Sequence, residues 1–290
     1  AGETGCGKSV TARAILRLID PPGKILTGRV IFEGQDLLSL HEAAMRRIRG
    51  GEISMIMQEP KMSLNPVIRV GNQIAETLII HDRTLNRRSA RKQAEEMLAQ
   101  LGIPDPTRMS RRYPHELSGG MSQRIMIAMM LVTSPKLLIA DEPTSALDVT
   151  IQAQILELIK ELIREIKTSV LMITHDLGVM AETCDRVAMM YAGDMVEMGS
   201  VRSVLKNPRH PYTQGLLQTV PDKANPEQPL FSIKGNVPSL LEPQTSCRFA
   251  PRCDYVMDRC KREIPPFFML NGDHQAACFL HDGQSEGQAG

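Results

Sequence analysis

The stretch Gly2-Glu3-Thr4-Gly5-Cys6-Gly7-Lys8-Ser9 constrains this chain more than any other. It fits G-x-x-x-x-G-K-[ST] at every fixed position. In that pattern the glycines let backbone N–H groups turn inward around phosphate oxygens, and the following helix adds the partial positive charge of its N-terminus. Lys8 is placed to reach the β- and γ-phosphates of a nucleotide, and Ser9 to offer a hydroxyl to Mg²⁺. Cys6 reads as a small loop residue without redox duty. Alone, the octapeptide is also compatible with an ordinary glycine-rich turn. The strand that should feed it is not in the sequence, which opens at Ala1 inside the motif, so a fragment lacking its own N-terminus is expected.

The 290 residues allow one large domain with an appendage, or two domains. A 42% hydrophobic and 23% charged composition is that of a globular chain and excludes a disordered or collagen-like one. Thirty-four basic against 33 acidic side chains give a net charge of +1, no footprint for nucleic acid or an anionic membrane. With no Trp, 4 Tyr and 6 Phe, platforms for base stacking are scarce. The longest apolar run, Ile125–Val132, is far shorter than a membrane span. No charged-then-apolar leader is seen, so no signal peptide is expected.

Residues 8–18 carry a helical pattern closed by Pro21, Pro22 and Gly23. RVIFEG (29–34) reads as a strand ending in a turn, and ISMIM (53–57) as a buried strand. From about 65 to 133 helical patterns take over. Arg88–Leu101 sets Ala94, Met97, Leu98 and Leu101 on one side, and Met121–Val132 does the same with Ile125, Ala128, Met129 and Val132. This predicts a helical insertion. LLIA (137–140) and SVLMI (169–173) are further strands, separated by a long helix with Ile151, Ile155, Leu158, Ile159, Leu162 and Ile166 on its apolar face. RVAMMYAGDMVEMG (186–199) reads as two strands about an Ala-Gly-Asp turn. Strands alternating with helices imply an α/β fold with a mostly parallel sheet covered on both faces. Five prolines between Pro221 and Pro243 mark a connector, and the last residues read as a frayed tail.

Four further segments carry chemistry. Asp141 ends an apolar strand, where it can hold Mg²⁺, and Glu142 is placed to polarise a water attacking the γ-phosphate. His175 follows the next strand at its carboxyl end, where such sheets bind ligands. Gln58 follows ISMIM in the same way, and its amide can bridge Mg²⁺ and the attacking water. Ser118-Gly119-Gly120-Met121 opens a helix and makes a second anion cradle more than a hundred residues from the first. Two cradles on one chain are resolved by head-to-tail pairing, the second serving a partner's nucleotide. Each segment has a bland alternative as a cap or a loop; the set is what speaks for function.

GETGCGKS, Gln58, LSGGMSQ, LLIADEP, SALD (145–148) and His175, in this order, resemble the ATP-binding-cassette (ABC) ATPases over residues 1 to about 200. The resemblance implies a P-loop NTPase cassette (1–220) with a helical signature subdomain (about 65–133). It implies Walker A at Gly2–Ser9, a Q-loop Gln58, a signature at Ser118–Met121, a Walker B Asp141, a catalytic Glu142, a D-loop Asp148 and a switch His175. None of these departs from the active pattern. The upstream strand and the aromatic that stacks on adenine in the family are missing.

MIMQEPKMSLNP (55–66), ALDVTIQAQIL (146–156), NPRHPYTQGLL (207–217) and the cysteine segment resemble the dipeptide/oligopeptide importer ATPases of bacteria; nickel and antimicrobial-peptide importers share much of the pattern. This implies a second homologous ATPase subunit, two permeases and an extracytoplasmic peptide-binding protein. It also implies a peripheral place on the cytoplasmic face of the inner membrane, touching the membrane through the permeases only. The stretch from Gln58 to Gly71 is expected to couple ATP to the permeases. Soluble cassettes acting on ribosomes or DNA usually carry two cassettes or a long coiled coil; this chain has one signature and no sustained heptads.

Cys247, Cys253, Cys260 and Cys278 fall within 32 residues of a C-terminal extension (221–290), at gaps of five, six and seventeen. Without a secretion signal such clustering reads as metal binding before disulfides. The gaps match neither a zinc ribbon nor a ferredoxin run, so spacing leaves the metal open. The peptide-importer resemblance implies a [4Fe–4S] cluster, with zinc as the alternative. A small lobe without a core of its own, stapled by metal, is expected. Arg248, Arg252, Arg259 and Lys261 are available to offset an anionic cluster.

Overall fold

The computed structural model describes residues 1–57, 63–143, 149–219, 231–238, 240 and 244–283, the side chains of 149–151 excepted. The chain divides into two compact units, Ser9–Ile173 in one and Ala1–Lys8 with Thr174–Gly290 in the other.

Helix α1 (Lys8–Ile15) follows the glycine loop. The predicted strand at 29–34 shortens to β1 (Ile31–Phe32), which folds back on β2 (Gln35–Asp36). Glu33 and Gly34 both take positive φ, 49° and 77°, so the chain turns before a longer strand can form. Helix α2 (Glu42–Ile48) leads to β3 (Ile53–Ile56). With β4 (Leu137–Asp141) and β5 (Ser169–Ile173) it forms a parallel sheet in the order β3-β4-β5. Successive side chains alternate between faces. Ile53, Met55, Ile139 and Ile173 pack with Ala12, Leu16, Leu37 and Met45 on one side. Ile56 and Leu138 pack on the other against the helical insertion. Both faces of β3 and β4 are covered, which is why those strands read as unbroken apolar runs, while β5 leaves Ser169 and Leu171 exposed.

The insertion consists of α3 (Val70–His81), α4 (Arg87–Gln100), the short α5 (Pro106–Met109) and α6 (Gly119–Leu131). Among the described residues no strand lies between 65 and 133. Asn86 starts α4 by accepting the N–H groups of Arg88 and Ser89 at 3.0 and 2.9 Å. Ala94, Met97, Leu98 and Leu101 are buried as their spacing predicts, and so are Ile125 and Ala128. Helix α3 buries Val70, Ile74, Ala75 and Leu78. Helix α7 (Val149–Ile166) closes this face with Ile155, Ile159 and Leu162.

In the other unit α8 (Leu177–Thr183) precedes the hairpin β6 (Arg186–Tyr191) and β7 (Asp194–Ser200). Ala192 and Gly193 turn it with φ of 49° and 92°, as the Ala-Gly-Asp reading predicts. Helices α9 (Val201–Lys206) and α10 (Pro211–Gln218) follow. The cysteine segment then adds β8 (Phe268–Met269) and β9 (Gln275–Ala276), completing an antiparallel sheet ordered β6-β7-β9-β8. The expected coreless lobe is corrected by this pairing. Strand β9 bonds to β7, and Phe249 joins the buried cluster of Tyr191, Val196, Val204 and Tyr212. Beneath it the buried carboxylate of Glu197 accepts the N–H groups of Arg209 and His210 at 2.7 and 2.9 Å and lies 2.7 Å from His274 Nε2. Most of the proline-rich connector and the frayed tail lie outside the described residues.

Candidate functional site

The glycine loop starts from a strand-like position. The amino nitrogen of Ala1 donates to the carbonyl of Ala188 at 2.8 Å, and the Ala1 carbonyl accepts from Met190 N–H at 2.7 Å. These are the two bonds of a parallel bridge around Met189, the approach that the phosphate-loop pattern requires. Gly2 then takes φ 152°, and a Cβ there would lie 2.1 Å from the Met190 carbonyl oxygen, so only glycine fits. Gly5 and Gly7 also have positive φ. Thr4 and Gly5 are exposed at the crest of the loop, while Cys6 is buried and its carbonyl accepts from Gly193 N–H at 2.9 Å. The Lys8 ammonium donates to the carbonyls of Gly2 and Glu3 at 2.8 and 2.9 Å. It is a cation held at the loop by its own backbone.

In the Ser9–Ile173 unit, Ser9 Oγ donates to Asp141 Oδ1 at 3.0 Å. Asp141 ends β4 and is 3% exposed. A buried carboxylate beside a hydroxyl is a hard oxygen set of the kind Mg²⁺ takes. The next residue, Glu142, takes φ 47°, with its N–H donating to Ile173 at 2.9 Å. A side chain in this left-handed region costs about 1–2 kcal/mol, and such strain gathers at functional positions.

The expected second cradle falls at the start of α6. Ser118 caps α6, its Oγ accepting Met121 N–H at 3.4 Å. Ser118 and Gly119 are exposed, and among the described residues a Cβ on Gly119 would meet nothing within 4 Å. Gly120 and Met121 form the half-buried first turn. The start of this helix is open to an anion. His175 is exposed, between Thr174 and Asp176; Asp176 caps α8 by accepting the N–H groups of Gly178 and Val179. Gln58 and Asp148 lie outside the described residues.

Cys247, Cys253, Cys260 and Cys278 line one small pocket, walled also by Phe249, Met257 and Leu280. All four are free thiols. Burial pushes the thiols of Cys247 and Cys253 up and that of Cys278 to about 11, and for each the neighbouring cysteines add to the effect. Among the described residues no group of three or more His, Cys, Asp or Glu side chains is gathered to hold a metal ion. The flanking cations turn elsewhere. Arg248 pairs with Asp194 and the Ala192 carbonyl, Arg259 with Glu263 and Asp282, and Lys261 with Asp258. Arg252 pairs with Glu3 of the glycine loop, a partnership that sequence reading missed.

A glycine loop entered beside a strand, a hydroxyl–carboxylate pair at a strand end and a second, open helix start belong together in an α/β P-loop ATPase of the cassette type. The family profile described as ABC transporter matches residues 1–145, and the one described as oligopeptide/dipeptide transporter, C-terminal region, matches residues 196–260. The probable peptide ABC transporter ATP-binding protein y4tR of Sinorhizobium fredii is 53% identical over 280 residues, 96% of this chain and 83% of the relative. The dipeptide transport ATP-binding protein DppD of Bacillus subtilis is 48% identical, covering 98% and 85%. DppD of Escherichia coli is 47% identical, covering 96% and 84%. Among solved structures, the dimeric ATP-binding cassette MJ0796 bound to ADP and phosphate superposes with a TM-score of 0.61 at 28% identity, over 69% of this chain and 83% of that one. The chain belongs to the ABC transporter family, among its peptide-transport ATP-binding proteins.

Proposed function

We propose that this chain is the ATP-hydrolysing subunit of a bacterial ABC importer that energises uptake of dipeptides or oligopeptides across the inner membrane. The observation that carries this reading is near end-to-end similarity to peptide-transport ATP-binding proteins, the C-terminal region included. Gly2, Glu3, Thr4, Gly5, Cys6, Gly7, Lys8 and Ser9 cradle the triphosphate, Lys8 countering the β- and γ-charges. Ser9, Asp141 and Gln58 would hold Mg²⁺, which would supply positive charge against the negative charge developed in phosphoryl transfer. Glu142 polarises the water, and His175 and Gln58 assist. Ser118, Gly119, Gly120, Met121 and Asp148 serve the nucleotide of a partner chain; the exposed start of α6 supports this role.

The partners are a second homologous ATPase subunit, two permeases and an extracytoplasmic peptide-binding protein; nucleic acid is not one of them. Among the described residues no helix is long and apolar enough to cross a membrane. In this reading the chain sits peripherally on the cytoplasmic face, with permeases as its link to the bilayer. Purification from membranes and reconstitution with its permeases test the reading. ATP-dependent peptide uptake is expected; uptake of nickel without peptide, or co-purification with ribosomes, overturns it.

Cys247, Cys253, Cys260 and Cys278 hold a [4Fe–4S] cluster in this reading. Four thiols converging on one pocket support it. The cluster would crosslink the segment, a structural duty, since import needs no electron.

A further inference from the structure

Glu3 is the most heavily held residue of the glycine loop. Its N–H donates to Tyr212 Oη at 2.9 Å, and its carbonyl accepts from Lys8 at 2.9 Å. Its carboxylate receives both arms of the Arg252 guanidinium, Nη1 to Oε2 at 3.0 Å and Nη2 to Oε1 at 3.4 Å. Arg252 is itself fixed from behind. It donates to the carbonyls of Ile233 and Lys234 at 3.2 and 2.9 Å and to Tyr191 Oη at 3.3 Å. Its side chain is 6% exposed and that of Glu3 25%, so the fork–fork pair is partly shielded from water, and its two-armed geometry makes it directional. Tyr191, Tyr212 and Phe249 pack ring against ring beneath it, with centroids 4.7–5.6 Å apart.

We propose that Arg252 and Tyr212 are positioning residues for the phosphate loop, through which the cysteine segment sets the affinity for ATP. The proposal rests on the reading that residues 2–9 bind the nucleotide's phosphates. Two physical effects converge. A loop with three glycines at positive φ has much conformational freedom to lose, and clasping Glu3 at its amide and its carboxylate removes part of that freedom beforehand. A carboxylate within a phosphate cradle also opposes the charge of the ligand, and Arg252 cancels it. Arg252 is adjacent to Cys253, and its neighbour in the segment, Arg248, holds the Ala192–Gly193 turn whose Gly193 N–H supports Cys6. Disturbing the thiol pocket is thereby transmitted to the loop at two points.

The test is a set of ATP-hydrolysis measurements on the assembled transporter carrying Arg252→Gln, Glu3→Gln, the double variant or Tyr212→Phe. Arg252→Gln leaves the Glu3 charge within the loop uncompensated, so the KM for ATP rises roughly tenfold while kcat changes little. Removing the Glu3 charge as well restores most of the affinity in the double variant, a rescue that lost packing cannot mimic. Tyr212→Phe raises KM by a smaller factor. An unchanged KM in Arg252→Gln, or a double variant no better than Arg252→Gln, overturns the proposal. Failure of the unmodified transporter to hydrolyse ATP overturns the underlying reading instead.

Discussion

Ser9 Oγ donates to Asp141 Oδ1 across 3.0 Å, joining residues 132 positions apart in the chain. One comes from the first turn of α1 and the other from the last residue of β4, so each is fixed by regular structure. Asp141→Asn keeps the shape and removes the charge that would attract Mg²⁺. ATP hydrolysis falls by at least about a hundredfold, and the Mg²⁺ concentration for half-maximal activity rises. Titration of activity against Mg²⁺ checks both; an unaltered Mg²⁺ requirement argues against the assignment.

Glu142 sits one residue further on, in strained backbone. Glu142→Gln retains ATP binding and loses turnover by a factor of about 10²–10⁴, the range for removing a general base. Equilibrium binding of a fluorescent ATP analogue beside steady-state hydrolysis separates the two. Weakened binding with turnover intact would assign Glu142 the wrong role.

Gly119→Asp meets no steric conflict at Cβ among the described residues, since a Cβ there has nothing within 4 Å. It places a carboxylate at the open start of α6, against the phosphates of a partner's nucleotide. Hydrolysis by the assembled transporter drops at least about tenfold, while ATP affinity of the isolated subunit is unchanged. Full activity of the assembled variant removes the case for a shared site.

Gly2→Ala strikes the loop from the other direction. Its Cβ would lie 2.1 Å from the Met190 carbonyl, so backbone must move in the loop or in β6. A loss of about 1–3 kcal/mol is expected, with ATP affinity falling alongside. Chemical denaturation and nucleotide titration of this variant measure the pair; wild-type values in both would mean the close approach carries no constraint.

His210 gives a pH dependence. Burial holds its imidazole down at about 3, and its Nδ1 accepts Tyr212 N–H at 3.1 Å, a bond that protonation would break. Unfolded, the same group titrates near 6.5. Between those values the unfolded chain binds the extra proton. Stability contributed by neutral His210 is therefore complete above about pH 6.5 and is lost on acidification toward 3, by on the order of 1 kcal/mol per pH unit. His210→Asn, which keeps a cap acceptor, flattens the acid limb of the melting temperature. An identical acid limb in the variant assigns the loss to other groups.

The cysteine pocket predicts a colour. Protein purified without oxygen should be brown, with visible absorption lost in Cys253→Ser. A colourless preparation holding one zinc per chain keeps the site and removes the iron.

The parallel sheet was legible because Ile53–Ile56, Leu137–Asp141 and Ser169–Ile173 are short apolar runs that need burial on two faces. The glycine loop was legible because its glycines and its Lys-Ser have a local mechanism. Helix α3 was harder to see, since Pro66 and Gly71 interrupt the text just where its buried face begins. Strands of two residues, such as β8 and β9, are too short to show a period of two. The Arg252–Glu3 pair spans 249 positions. No local pattern encodes a contact of that range, because it depends on where two distant segments are delivered by the fold.

Strand β9 lies along β7 at Glu197 and Met198, on the side of β7 away from β6. It covers a sheet margin whose free amides and carbonyls would otherwise be a template for intermolecular strand addition. A chain cut after Met269 therefore does more than lose the Cys278 thiol. It bares β7 at Val196, Glu197 and Met198 along that margin and strips His274 from the buried Glu197 carboxylate. Such a product should self-associate through its exposed backbone, and its failure would register as precipitation well before any defect in catalysis could be measured.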